Sequence, residues 1–201
     1  MNKNIIEFYL EVNNLKNVVR TGWKEVGIPT DKVESVADHV YGTSILALSL
    51  IEEKGLSLNT EKVLKMILVR ELAKTVTNRE DSVLSGNTRE NFKEITKSLF
   101  DKLTNGDKLF SVYEEYDAME SEESKFVYKV AKLESDLQAK IYEKKGYFTV
   151  ENAVKDVENY PEDIKAKVGQ VTKASDGWLT FDREYYDDEL FMSLSNDIQN
   201  L

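Results

Sequence analysis

Four charged side chains, Arg70, Glu71, Lys74 and Arg79, stand in or just beyond an otherwise apolar stretch, 66–79. Met66, Ile67, Leu68, Val69, Leu72 and Ala73 recur with the period of a buried helix. Guanidinium and ammonium groups have no lone pair to offer a metal, so the chemistry written here is that of anions. Three cations against one carboxylate leave a net charge of +2 (3 − 1), and an inward-pointing Arg20 adds to it. Arg70 and Lys74 are spaced i,i+4 and repel on a shared helix face. Glu71 falls roughly 100° round such a helix. The expected negative partners are therefore Glu134, Asp38, Asp136 or a bound anion.

The rest of the chain narrows the chemistry. There is one His, His39, and no Cys, which removes thiolate nucleophiles, thiolate metal sites and disulfides. No Ser-His-Asp pattern appears around it, and with one His there is no alternative triad. A net charge of −10 opposes nonspecific binding to nucleic acid and to anionic lipid. No stretch approaches the ~18 apolar residues of a membrane span, and the N-terminal segment lacks the apolar run of a signal peptide. A cytoplasmic protein that binds neither nucleic acid nor membrane is expected.

The elements that must position these residues read as helices. Apolar residues at helical spacing predict a helix over 5–20, with turns at Gly22-Trp23 and Gly27-Ile28-Pro29. Ser35 caps a helix that runs to Lys54 and is stopped by Gly55. Asn59 or Thr60 caps the next, over 61–76, and the polar residues 77–88 suit a loop that closes over a pocket. Further helices are expected at 89–103, 108–119, 122–145, 151–159, 162–173 and 182–195, with 177–181 the one extended piece. Residues 1–201 are thus expected to form one all-α domain. The aromatic residues Trp178, Phe181, Tyr185, Tyr186 and Phe191 are expected in a core or subunit contact.

Five blocks occur in a telling order. They are Leu15-Lys-Asn-Val-Val-Arg-Thr-Gly-Trp23, Glu34-Ser-Val-Ala-Asp-His39, Leu68-Val-Arg-Glu-Leu-Ala-Lys74, Tyr113-Glu-Glu-Tyr116 and the segment from Lys125 to Glu143. Over roughly residues 8–145 the chain resembles the HD-domain phosphohydrolases of the YfbR-like, HDDC-type 5′-deoxynucleotidase group, with 146–201 a helical extension. The resemblance implies a single-domain helical bundle, a homodimer and a divalent metal held by two His and two Asp.

Matched position by position, the resemblance puts His39 at the first ligand and Arg20 at the substrate phosphate. Arg70 stands where the second His belongs, Glu71 at its Asp partner, Lys74 at a helper Glu, Arg79 at a loop Asp and Ala131 at the last Asp ligand. Metal sites of this type need about three protein ligands. On this basis the expectation is a catalytically inactive, metal-free homologue without a cofactor. It would act by binding a protein partner, or a nucleotide or other phosphate-containing anion through Arg20, Arg70, Lys74 and Arg79. The alternative is a metal-dependent phosphohydrolase with a rebuilt site that uses His39, Glu71 and a displaced carboxylate such as Glu134 or Asp136.

Overall fold

The structure, a computed structural model, describes residues 2–77, 88–155, 165–166 and 169–201. Among these there is no strand, only an isolated antiparallel bridge between Val19 and Ser35, so the chain is all-α as expected. In chain order the helices are α1 (Asn2–Val12), α2 (Thr21–Glu25), α3 (Val36–Lys54), α4 (Thr60–Val69), α5 (Lys74–Thr77) and α6 (Thr88–Phe100). They continue with α7 (Asp107–Ala118), α8 (Glu122–Lys144), α9 (Val150–Lys155), α10 (Ala174–Asp182) and α11 (Glu189–Gln199). Of the expected helix over 162–173, residues 162–164 and 167–168 lie outside the described residues and 169–173 form turns rather than helix. The end of the one over 151–159 and residues 78–87 of the expected closing loop also lie outside the described residues.

Two compact units are formed. The first comprises Met1–Thr21 and Glu34–Tyr128, the second Gly22–Val33 and Lys129–Leu201. In the first, α3 packs on α4, α4 on α7 and α6 on α7. Its core gathers Val69, Leu72, Leu99, Phe100, Phe110 and Tyr113, with Phe8 tilted against Phe100 at 5.9 Å. In the second, Trp23 is buried, stacked on Trp178 at 4.1 Å and set edge-on to Tyr142 at 5.2 Å. Trp23 is therefore core and has no face to offer a nucleobase.

Three local expectations are corrected. The helix over 5–20 ends at Val12, where Asn13–Lys16 tighten into a 3₁₀ turn and Asn14 donates to the Thr75 carbonyl at 3.1 Å. Asparagine side chains compete for backbone groups and so end helices. The helix over 61–76 stops at Val69. Residues 177–181 lie inside α10, because burial of Gly177 and Leu179 outweighs the extended preference of Trp178, Thr180 and Phe181.

Candidate functional site

Four backbone features place the site, all in the first unit. Asn59 accepts from the Lys62 amide and starts α4, as the sequence predicts. Ser35 caps α3: its Oγ accepts from the Asp38 amide at 3.1 Å, while Asp38 Oδ2 accepts from the Ser35 amide at 2.9 Å. Gly55, left-handed at φ 60°, closes that helix. Just ahead of the cap, the Arg20 amide donates to the Glu34 carbonyl at 3.1 Å and the Val36 amide to the Val18 carbonyl at 2.7 Å. This clasp sets Arg20 beside Glu34, and Arg20 Nη1 donates to Glu34 Oε1 at 2.7 Å. His39 follows in the first turn of α3 and is buried. A carboxylate oxygen of Glu34 and a ring nitrogen of His39 lie within 4.8 Å of each other.

The end of α4 supplies the opposing groups. Beyond Val69 the chain tightens through three-residue bonds, Leu72 N–H to Val69 O, Lys74 N–H to Glu71 O and Thr75 N–H to Leu72 O. The tightening turns Glu71 onto its neighbours. Its Oε1 pairs with Arg70 Nη2 at 2.9 Å and its Oε2 with Lys74 Nζ at 2.5 Å. The expectation that Glu71 points away from both cations assumed a continuous helix and is corrected. Arg70 Nη2 also lies 2.7 Å from His39 Nε2, and Arg70 Nη1 donates to the Tyr116 hydroxyl at 3.3 Å. A guanidinium only donates, so Nε2 accepts and the ring proton of His39 sits on Nδ1.

Two of the other expected partners are engaged elsewhere. Asp38 is held by the capping box, and Asp136, in the second unit, accepts from the Tyr186 hydroxyl at 2.7 Å. Ala131 and Glu134 also belong to the second unit, and both are buried. Arg79 lies outside the described residues.

Burial alone would raise the Glu71 carboxyl, but the charges of Arg70 and Lys74, with a smaller contribution from Arg20, hold it down at about 2. Burial likewise opposes the charge on Arg70. The Glu71 carboxylate and Tyr116 outweigh it and hold the guanidinium above its ordinary value. Arg20, Arg70 and Lys74 thus act in one field against Glu34 and Glu71, a net single positive charge among these five.

Three of the four residues predicted to hold an anion converge here. Sequence reasoning missed Glu34 and Tyr116 as members. Both stand in the quoted blocks, but neither has a periodic signal, and Glu34 precedes the helix that carries His39.

The donor set can be tested for a divalent ion. An imidazole nitrogen and a carboxylate oxygen are the ligand types that Mn, Co, Ni and Zn accept. In this structure one cationic nitrogen, Arg70 Nη2, stands within hydrogen-bond distance of both His39 Nε2 and Glu71 Oε1. The donors fit a cation, and Arg70 is the competitor for them.

The first unit is all-helical and gathers an imidazole, carboxylates and cations at helix ends. An HD-domain family model matches residues 12–172. The 5′-deoxynucleotidase HDDC2 of Danio rerio is 32% identical over 145 residues, covering 70% of each chain. The protein of the same name from Dictyostelium discoideum is 30% identical over 166 residues, covering 76% of this chain and 84% of that one. The crystal structure of the PH0347 protein from Pyrococcus horikoshii OT3 superposes with a TM-score of 0.58 at 30% identity, covering 82% of this chain and 98% of that one. The chain belongs to the HD-domain phosphohydrolase family, in its HDDC-type group.

These relatives overturn the expectation of an inactive, metal-free binder. Proteins about 30% identical over most of the chain carry the name of an enzyme, and a Glu34–His39 donor pair suited to a cation stands in the first unit. That expectation rests on the ligands missing at Arg70 and Ala131 and leaves out the carboxylate of Glu34.

Proposed function

We propose that the chain is a metal-dependent phosphohydrolase of the 5′-deoxynucleotidase kind with a rebuilt ion site. The observation that carries this is the donor pair Glu34 and His39, within 4.8 Å of each other, in a chain whose relatives are named 5′-deoxynucleotidase. His39, Glu34 and Glu71 are the residues that would hold the ion, and an ion there supplies a Lewis acid for the phosphate oxygens and an activated water.

The chain's own contribution is charge and orientation. A phosphomonoester carries about two negative charges at neutral pH. Arg20 and Arg70 present planar forks suited to its oxygens, and Lys74 adds a point charge. Burial strengthens each of these attractions, because little water screens them. The Nδ1–H tautomer leaves Nε2 of His39 as the lone-pair donor. The capping box and the Arg20–Glu34 clasp fix His39 and Glu34 on a rigid helix start, so neither donor has to be ordered when ligand arrives.

The test is phosphate release from a panel of deoxynucleoside and ribonucleoside 5′-monophosphates with added Mn²⁺, Co²⁺ or Zn²⁺. Turnover is expected only with an ion, and His39→Ala should lower it beyond the ~10–100-fold that loss of an outer-shell partner costs. Absence of release with every ion and every monophosphate would overturn the proposal.

A further inference from the structure

The position of Arg70 asks for a reason that ion pairing alone does not supply. Its side chain is 9% exposed, and a buried guanidinium normally uses all its donors. Nη2 serves His39 and Glu71, and Nη1 serves Tyr116, whose ring lies 5.9 Å from the guanidinium carbon. Nε–H is buried and has no hydrogen-bond partner among the described residues. An unpaired buried donor on a cation is a standing demand for an oxygen acceptor.

Two further facts bear on the same atoms. Glu71 does not depend on Arg70 alone, because Lys74 Nζ holds its other oxygen at 2.5 Å. Withdrawal of Arg70 would leave Glu71 neutralised. His39 loses a hydrogen bond but keeps its tautomer's lone pair, aimed where Nη2 now stands.

We propose that Arg70 is a positioning residue that keeps the ion's place between His39 and Glu71 and yields it when a phosphomonoester draws its guanidinium away. The inference rests on the phosphohydrolase reading for its ligand and goes beyond it in making Arg70 and the ion alternative occupants of one position. Two cations do not share donors that one nitrogen already bridges, so ion binding requires Arg70 to move. A phosphate dianion offers the acceptor that Nε lacks and compensates the charge on the moved guanidinium. Ion and phosphate should therefore bind with positive coupling, and that coupling is reciprocal.

The experiment is calorimetric titration of Mn²⁺ into apo protein, with and without 1 mM inorganic phosphate, for the natural chain, Arg70→Met and Arg70→Lys. Arg70→Met keeps the apolar stem and removes the competitor. Arg70→Lys, the safer variant for folding, keeps the charge but has no fork to span His39 and Glu71 together. Circular dichroism checks that each variant is folded.

Mn²⁺ should bind at least ~10-fold tighter to Arg70→Met than to the natural chain, about 1.4 kcal/mol, with Arg70→Lys between them. Phosphate should tighten Mn²⁺ binding several-fold more in the natural chain than in Arg70→Met. Equal Mn²⁺ affinity in all three proteins, or a phosphate effect of the same size in each, would sink the inference. Tighter Mn²⁺ binding by the variants with no monophosphate hydrolysis by the natural chain would instead sink the enzymatic reading and leave this one standing.

Discussion

Arg70 Nη2 lies 2.7 Å from Nε2 of His39, thirty-one residues away in sequence, and the contact makes a cation the neighbour of the chain's single imidazole. In the family resemblance these two positions hold metal ligands. Here they hold an acceptor and its donor, with Glu71 closing the group from the other side.

Glu71→Gln should destabilise the fold. Glu71 is 6% exposed, and its loss as a charge leaves two cations, Arg70 and Lys74, without their counter-ion. Breaking a buried pair from one side costs about 3–5 kcal/mol. Urea unfolding at pH 7 is the check, and a change below about 1 kcal/mol would show that water already solvates this group.

Acid should expose the same pair. The carboxyl of Glu71 is held at about 2, below its value of 4.5 in an unfolded chain. Its contribution is therefore fully present above about pH 4.5 and is lost as pH falls toward 2. Glu71→Gln should show a flatter stability profile over that window than the natural chain, measured by denaturant midpoints from pH 2 to 6.

The second unit should behave with the opposite sign. Burial, then the neighbouring Asp182 carboxylate, raises Asp136 from 3.8 to about 8. A raised carboxyl contributes stability below pH 4 and loses it as pH climbs through 8. Asp136→Asn keeps a side chain that accepts from the Tyr186 hydroxyl and does not ionise. It should gain on the order of 1–3 kcal/mol over the natural chain at pH 9, and a loss there would refute the assignment.

Ser35→Ala removes the cap that orders Glu34 and His39. The expected cost is about 1 kcal/mol of stability. Because the lost bond orders the first turn of α3, Mn²⁺ binding should weaken as well, whereas the cap of α4, tested with Asn59→Ala, should cost similar stability without touching ion affinity. Equal effects on Mn²⁺ would remove the special role of the α3 cap.

Met119 ends α7 with φ 56°, a left-handed conformation that a side chain tolerates poorly. Met119→Gly should stabilise the protein by about 1 kcal/mol, read as a rise in melting temperature.

Local chemistry was legible before any contact was seen. Ser35, Asn59 and Gly55 bound helices by their own side chain or lack of one, whereas Asp38, expected beside the cations, closes the α3 cap instead. The apolar period that begins at Met66 is an equally local signal. So too was the cationic character of 70–74, since charge is a property of residue type.

Tertiary structure decided what those charges do. Whether Glu71 faces its neighbours depended on α4 ending at Val69, and the tight bonds after it belong to packing in the first unit. Glu34 entered the site through a bridge between Val19 and Ser35, sixteen residues apart, which no period encodes. Burial opposes the charge on Glu71 and the close charges of Arg70 and Lys74 outweigh it, and both the burial and the distances are set by everything folded around the group. A sequence states which groups carry charge; only the fold sets the distance and the dielectric between them.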